Sequence, residues 1–408
     1  MCLEVTEDRL PWFVFAGGGT GGHLFPALSI VGSLRRRCPA ADVSFFRTQR
    51  PIDRQVLGAA GVEAIPLGVL PFTTRPWQWP RFWRRWRESV ALCRRVFERR
   101  RPAAVIGAGG YASGPPVHVA LSLGIPTFLL NPDAVPGRAN RYLGRRAGLT
   151  GIFAQWDVTR DHFPVSAPVE VAGCPVRPEF RALRPDTEAI LRSFDLDPAL
   201  HTLLVTGASQ GARTINEAMI LLADRLDWTG WQVLHLAGEA DAARVTEAYA
   251  TQGGGVGKSA PKTRVLPFTP RMPEAMAAAD VIVSRAGAST LAEIQAVGRA
   301  SILLPYPYHR DQHQRHNAMV LAGAGAAALI DDSRDAAVNA ERLGPVLRDL
   351  MRDEARRSAM AEAAGALDHP DSADLIADRL LSAADSRLAA GCEFCTSPAV
   401  SSPARRTA

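Results

Sequence analysis

The 408 residues are 47% hydrophobic and 22% charged, an ordinary globular composition, and at roughly 100 to 200 residues per domain they suffice for two or three domains, of which two is the simpler reading. A formal charge of +6 points to an anionic partner: nucleic acid, an anionic membrane or a phosphorylated substrate. Cys2, Cys38, Cys93, Cys174, Cys392 and Cys395 lie too far apart in too long a chain to be a disulfide framework, which fits a reducing cytoplasm, and the Cys392/Cys395 pair has no second pair at zinc spacing.

At the N-terminus, Glu4, Glu7 and Asp8 precede the first apolar run and glycines break that run at once, so neither signal peptide nor anchor is expected. No stretch approaches the roughly 20 apolar residues of a spanning helix, so membrane contact is expected to be peripheral. Apolar runs at 12–16, 43–46, 103–106 and 127–130, with a weaker one at 151–154, read as strands between amphipathic stretches. The same rhythm returns at 202–206, 232–236, 263–266, 281–283 and 301–304. Strands alternating with helices predict an α/β fold of two Rossmann-like, doubly wound parallel sheets.

Pro178, Pro185 and Pro198, close behind Pro175, sit amid charges in residues 176–198, and prolines at that density end elements. This marks a linker between domains at 10–175 and 199–367. In residues 368–390, Leu375, Ile376, Leu380 and Leu381 fall at helical spacing and predict a helix that packs back on the first domain. Residues 391–408 are small and polar and are expected to be a disordered tail.

The strand at 12–16 runs into Gly17-Gly18-Gly19-Thr20-Gly21-Gly22-His23, ahead of a helix expected to open at Pro26. Glycines at a strand-to-helix turn let backbone approach an anion, and the helix N-terminus adds free amides and about half a positive charge. The loop also satisfies G-x-G-x-x-G, which raises a nicotinamide-dependent oxidoreductase. That fingerprint wants an acid after the second strand; Arg47 stands there instead and leaves only an NADP-type variant open. Three further small-residue turns follow strands: 107–114 with Tyr111 and Ser113, 207–213 with Ser209, and 284–290 with Ser289 and Thr290. Four such turns at strand carboxyl ends, in a duplicated pattern, outline a ligand-binding edge.

The motifs Gly18 to His23, Gly109 to Gly114, Gly173-Cys-Pro-Val-Arg177, Ser209 to Arg213 and Ala288 to Glu293 closely resemble glycosyltransferase family 28, in order and at compatible spacing from about Trp12 to Ala328. The resemblance implies a GT-B fold, two Rossmann-like domains facing a cleft, with the acceptor and membrane on the N-terminal side and UDP-N-acetylglucosamine mainly on the C-terminal side. It implies inverting transfer of N-acetylglucosamine to a lipid-linked pyrophosphate acceptor, converting lipid I to lipid II, at the cytoplasmic face of the inner membrane. Cell-wall synthesis proteins are implied as further partners, and no metal or other cofactor is required. Other UDP-sugar glycolipid transferases or epimerases on this fold, and a non-catalytic peripheral membrane protein, are the alternatives.

By motif match the donor contacts are Thr20, Gly21, Gly22, Asp133, Arg177, Ser209, Thr269, Ala288, Ser289, Thr290, Leu291, Ala292, Glu293 and Gln314. Ser289 and Thr290 open a helix toward a phosphate, Glu293 can accept from ribose hydroxyls, and Gln314 offers donor and acceptor to the sugar. Gly18, Gly19, Tyr111, Ser113 and Asn140 fall on the acceptor side. Where the family shows His-Glu-Gln-Asn, this chain reads Leu130-Asn131-Pro132-Asp133, so Asp133 stands at the asparagine position. Catalysis needs one base: His23 follows the glycine loop and titrates near neutral pH, with hydrogen bonding to the loop or acceptor phosphate as its other reading, and Asp133 is the second candidate.

Between Phe72 and Arg101, Trp77, Trp79, Trp83 and Trp86 with Phe82 and Phe97 interleave with ten arginines, Arg84 and Arg85 among them. Tryptophan favours the headgroup boundary, and each clustered arginine gains roughly 1 kcal/mol near an anionic leaflet. Core packing of some rings is the competing reading, and nucleic acid is set aside as a partner.

Overall fold

The computed structural model describes residues 10–19, 21–182, 187–207, 211–251, 260–308 and 311–393. Cys2, Thr20, Ser209, His309, Cys395 and the tail from 394 lie outside the described residues.

The first half holds seven strands: β1 (Trp12–Ala16), β2 (Asp42–Arg47), β3 (Glu63–Pro66), β4 (Ala104–Gly107), β5 (Thr127–Asn131), β6 (Gly151–Ala154) and β7 (Val169–Val171). Its helices are α1 (Gly21–Arg37), α2 (Pro51–Ala59), α3 (Trp79–Arg99), α4 (Gly114–Ser122) and α5 (Arg138–Leu143). α6 (Glu179–Ala182) and α7 (Thr187–Ser193) lead into the second half, with strands β8 (His201–Thr206), β9 (Trp231–Leu236), β10 (Lys262–Leu266), β11 (Val281–Ser284), β12 (Ala300–Leu303) and β13 (Ala328–Leu329). Its helices are α8 (Arg213–Ala223), α9 (Ala242–Thr251), α10 (Met272–Ala277), α11 (Ala288–Val297), α12 (His313–Gly323), α13 (Ala336–Arg352) and α14 (Glu354–Ala366), and α15 (Ser372–Glu393) is the last described element, so residues 391–393, expected in the disordered tail, are helical.

All pairings are parallel, in the orders β3-β2-β1-β4-β5-β6-β7 and β10-β9-β8-β11-β12-β13. Every residue of β1, β5 and β9 is buried, as a parallel sheet covered by helices on both faces demands. Strand order reverses at β1/β4 and at β8/β11, and in open α/β sheets ligands bind outside the carboxyl ends at such switch points. The four small-residue turns follow β1, β4, β8 and β11, the strands flanking both reversals.

β3, β7 and β13 are edge strands of two to four residues that sequence periodicity does not reveal. Residues 176–198 carry α6 and α7, and Phe180, Ile190, Leu191 and Phe194 bury into the second half's core. That same apolar cluster includes Ala134, Trp156 and Cys174 of the first half, so the halves share one core along their seam. α15 returns to the first half: Ile376, Ala377, Leu380 and Ala384 pack with Leu24, Ile30 and Leu34. Asp374 accepts from Ser33 and from Arg36 at 3.0 Å, and Arg379 pairs with Glu170 at 2.9 Å.

α3 is amphipathic, burying Phe82, Ser89, Cys93 and Phe97. Trp77, Trp79 and Trp83 are exposed at 74, 42 and 52%. Trp86 is half-buried instead: its ring lies where a Cβ on Gly114 would stand, 2.8 Å away, and it stacks on Phe82 at 6.2 Å. Arg84 and Arg85 both pair with Glu88.

Candidate active site between the two halves

The turn after β1 is held from below by a buried carboxylate. Asp53 accepts from the Gly19 N–H at 2.8 Å, the Thr48 N–H at 3.1 Å and the Thr48 hydroxyl at 2.5 Å. Gly18 (φ +122°) lies so close that a Cβ there would meet Asp53 Oδ2 at 2.4 Å, so only glycine fits. Gly18 and Gly19 thus give the turn its shape, with the Gly19 amide committed to Asp53 rather than to a ligand.

α1 begins at Gly21, five residues before Pro26, which lies inside the helix instead of opening it. Proline has no N–H for the carbonyl four residues earlier. That carbonyl belongs to Gly22, and it accepts instead from Ser289 Oγ of the second half at 3.1 Å. The proline therefore frees a helix acceptor that becomes a contact between the halves, and it sets the N-termini of α1 and α11 side by side. Two helix N-termini meeting at a cleft converge amides and partial positive charge on one volume.

His23 packs between the first two turns. Nδ1 lies 3.3 Å from the Gly18 carbonyl, and a Cβ on Gly109 (φ +101°) would strike the ring at 2.8 Å. Tyr111 packs into the apolar cluster beneath, and the Ser113 hydroxyl donates to the Gly110 carbonyl at 2.7 Å, so Ser113 shapes its own turn. Asn140 Nδ2 donates to the Leu130 carbonyl and Asn131 Oδ1, fixing the end of β5.

Across the seam, the Leu291 N–H already bonds the Gly287 carbonyl at 3.0 Å. The Ala288, Ser289 and Thr290 amides, at the helix start, have no intrahelical partner. Leu291 and Ala292 side chains belong to the core. Glu293, one turn on, is pushed up to about 7 by burial, with the Arg177 guanidinium pulling the other way. Arg177 lies between Phe25 of α1 and Phe180, 5.1 and 5.0 Å from the ring centroids, and its buried Nε has no hydrogen-bond partner among the described residues. Cys174 sits beside them; burial raises its thiol, and the Glu293 and Asp133 charges raise it further. An acid whose pKa is raised by burial, within the field of a guanidinium whose Nε is unpaired among the described residues, is the arrangement expected of a polar-ligand site.

The Asp133 carboxylate accepts from Asn317 Nδ2 at 2.8 Å, so this residue too stands at the seam. Gln314 Oε1 accepts from the Tyr306 N–H at 2.9 Å, which orients the amide on the turn after β12. The Thr269 hydroxyl accepts from the Arg271 N–H at 3.1 Å and braces the turn before α10.

The glycosyltransferase family 28 N-terminal and C-terminal domain models match residues 13–151 and 202–376. A relative from Chlorobaculum tepidum, the UDP-N-acetylglucosamine–N-acetylmuramyl-(pentapeptide) pyrophosphoryl-undecaprenol N-acetylglucosamine transferase, is 35% identical over 90% of this chain and 98% of its own length. The chain belongs to glycosyltransferase family 28. The Bacillus licheniformis protein of the same name is 33% identical over 88% of this chain and 95% of its own. The Acinetobacter baumannii MurG crystal structure superposes with a TM-score of 0.71 at 23% identity, covering 92% of this chain and 99% of that one. The UDP-GlcNAc 2-epimerase of Neisseria meningitidis reaches 0.62 at 14% identity, covering 92 and 100%. Both likenesses establish the GT-B architecture.

Within this family 28 site, Gly21, Gly22, Asp133, Arg177, Ser289, Thr290 and Glu293 stand at one seam. Sequence reading misses Phe25 and Asn317, which contact Arg177 and Asp133, and Asp53 and the buried Arg285–Asp332 pair, which brace the surrounding turns. Arg285 Nη1 bonds Asp332 at 2.6 Å and the Leu304 carbonyl at 2.9 Å, and Nη2 bonds Thr214 at 2.9 Å, tying the turn after β11 to those after β12 and β13 and to the start of α8. Burial would raise the Asp332 pKa, but hydrogen bonds from Thr214, Asn339 and Arg285 outweigh it and hold the carboxyl below its ordinary value. A basic residue opposite an acid 47 positions away leaves no local signature in sequence.

Proposed function

We propose that the chain transfers N-acetylglucosamine with inversion from UDP-N-acetylglucosamine to undecaprenyl-pyrophosphoryl-MurNAc-pentapeptide, turning lipid I into lipid II in peptidoglycan synthesis. The observation that carries this reading is the match to transferases of that name over nearly their whole length. An acceptor hydroxyl oxygen bonds to the sugar C1 as the C1–O bond to the diphosphate breaks; UDP leaves with the electron pair, and the hydroxyl proton passes to a base. His23, between the two glycine turns of the first half, is that base, and the acceptor pyrophosphate lies over the same turns.

The departing diphosphate meets the Ala288, Ser289 and Thr290 amides and the Arg177 guanidinium, fixed dipoles and charge that need no reorganisation as negative charge develops. Glu293 takes the ribose hydroxyls; Asp133 and Gln314 take the sugar. Thr20 and Ser209 join the phosphate contacts by motif. The sugar nucleotide is a substrate, and this chemistry calls on no further cofactor. The exposed Trp77, Trp79 and Trp83 with the α3 arginines dock the first half peripherally on an anionic leaflet, the cytoplasmic face of the inner membrane, where a lipid acceptor is presented. No helix among the described residues is long and apolar enough to cross a membrane.

The test is transfer of radiolabelled N-acetylglucosamine to lipid I in detergent, with His23→Ala and Glu293→Ala beside wild type. Labelled lipid II from wild type alone is the expected result. Transfer only to another lipid refutes the named acceptor, and conversion of the donor to an epimer without transfer refutes the reaction class.

A further inference from the structure

Asn317, on α12, is fully buried at the seam. Its amide nitrogen donates to the Asp133 carboxylate at 2.8 Å and to the Ala286 carbonyl at 3.3 Å, while its amide oxygen accepts from the Ala134 N–H at 2.8 Å. One side chain therefore ties the loop after β5, in the first half, to the turn that leads into α11, in the second. The requirement is specific. An amide offers donors at one end and an acceptor at the other; aspartate offers only acceptors and leucine neither.

We infer that Asn317 is a positioning residue that sets the Asp133 carboxylate and the approach to α11 in one register, so that the sugar and diphosphate ends of the donor are gripped together. The inference rests on the donor-binding reading above. Asn317 reaches no group assigned to the substrate except Asp133, and it acts on the donor chiefly through that carboxylate, its bond to the Ala286 carbonyl being the longer of the two. Near-isosteric change to aspartate would set two carboxylates side by side, and one of such a pair takes up a proton more readily.

A double-mutant cycle tests it, with donor KM and kcat for transfer to lipid I and donor Kd by calorimetry. Asn317→Ala and Asp133→Ala are each expected to lower kcat/KM by roughly 10- to 100-fold, with Asp133→Ala/Asn317→Ala no more than about threefold below Asp133→Ala alone, because the residues act as one unit. Losses that multiply overturn the inference, since they describe two independent contributions. Asn317→Asp, which preserves volume, supplies a second reading if the alanine variant does not fold. Its activity relative to wild type is expected to climb as pH falls from 8 to 5.5 and a protonated carboxyl regains a donor. Glu293, which like Asp133 raises the Cys174 thiol, is present in both proteins, and repeating the ratio in a Glu293→Gln background separates its titration from that of the new carboxylate pair. A ratio flat with pH also overturns the inference. A wild type that neither binds UDP-N-acetylglucosamine nor transfers it refutes the functional reading itself, whereas a competent wild type with multiplicative losses refutes only the role of Asn317.

Discussion

On the proposed donor side, Glu293 is a carboxyl that burial perturbs strongly. Its value of about 7 stands above the ordinary 4.5, so the folded chain binds this proton more tightly than the unfolded chain does. The stability it contributes is fully present below about 4.5 and is lost as pH rises through 7. Glu293→Gln is accordingly expected to raise the Tm of the ligand-free protein at pH 8, with the difference closing toward pH 4.5, read by scanning calorimetry across that range. Ribose hydroxyls favour the charged carboxylate, so wild-type donor affinity should rise from pH 6 to 8. The glutamine variant should bind roughly 10- to 100-fold more weakly, without that slope. His23 belongs to the same scale: His23→Gln is expected to lower kcat by about 10² to 10⁴ at unchanged donor affinity, measured by single-turnover transfer.

At the scale of elements, the turns proposed to meet a ligand are shaped by residues outside the proposed contacts. The turn after β1 takes its path from Asp53, which answers three donors at once. Asp53→Ala leaves those buried donors unpaired at about 1 to 3 kcal/mol each before relaxation. It should lower Tm and weaken acceptor turnover more than donor binding, measured by thermal denaturation and by KM for each substrate. Gly109 works by absence, since His23 occupies the place its side chain would need. Gly109→Ala, strained at φ +101° as well, should lose kcat toward the level of the His23 variant in the same transfer assay. Pro26 completes this group: inside α1 it releases the Gly22 carbonyl to Ser289, so a residue that weakens a helix strengthens a seam.

At the scale of the whole molecule, two sheets with matching switch points meet along a shared core, and α15 packs on the half where the chain began. The groups proposed to bind the donor come from both sides of the seam, so on that reading the relative placement of the halves is itself part of the site. Exposed Trp77, just ahead of α3, joins Trp79 and Trp83 and a row of arginines on the outer face of that helix, away from its core side. Replacing Trp77, Trp79 and Trp83 together with alanine is expected to weaken co-sedimentation with anionic vesicles by about tenfold or more while circular dichroism stays unchanged. Wild-type binding should fall as salt rises.

The duplicated α/β architecture is legible in the sequence because its signals are local. Apolar runs of buried parallel strands and glycines at strand ends are short-range patterns, and ten of the thirteen strands follow from them. Edge strands as short as β7 and β13 bury too little to leave such a pattern. Composition and motif likewise mark the four turns, Arg177 and Glu293 as candidate binding groups. What only the tertiary structure decides is which of these residues are open to a ligand and which are already engaged. The Gly19 amide is committed to Asp53, whereas the Ser113 and Thr269 hydroxyls each make one bond to their own scaffold and keep further hydrogen-bonding capacity. Conversely, Asn317 and Asp53 carry no motif, and their roles arise from partners 184 and 34 residues away in the chain. A hydrogen bond is satisfied by proximity in space, and the sequence determines the donor and acceptor while the fold alone determines the pair.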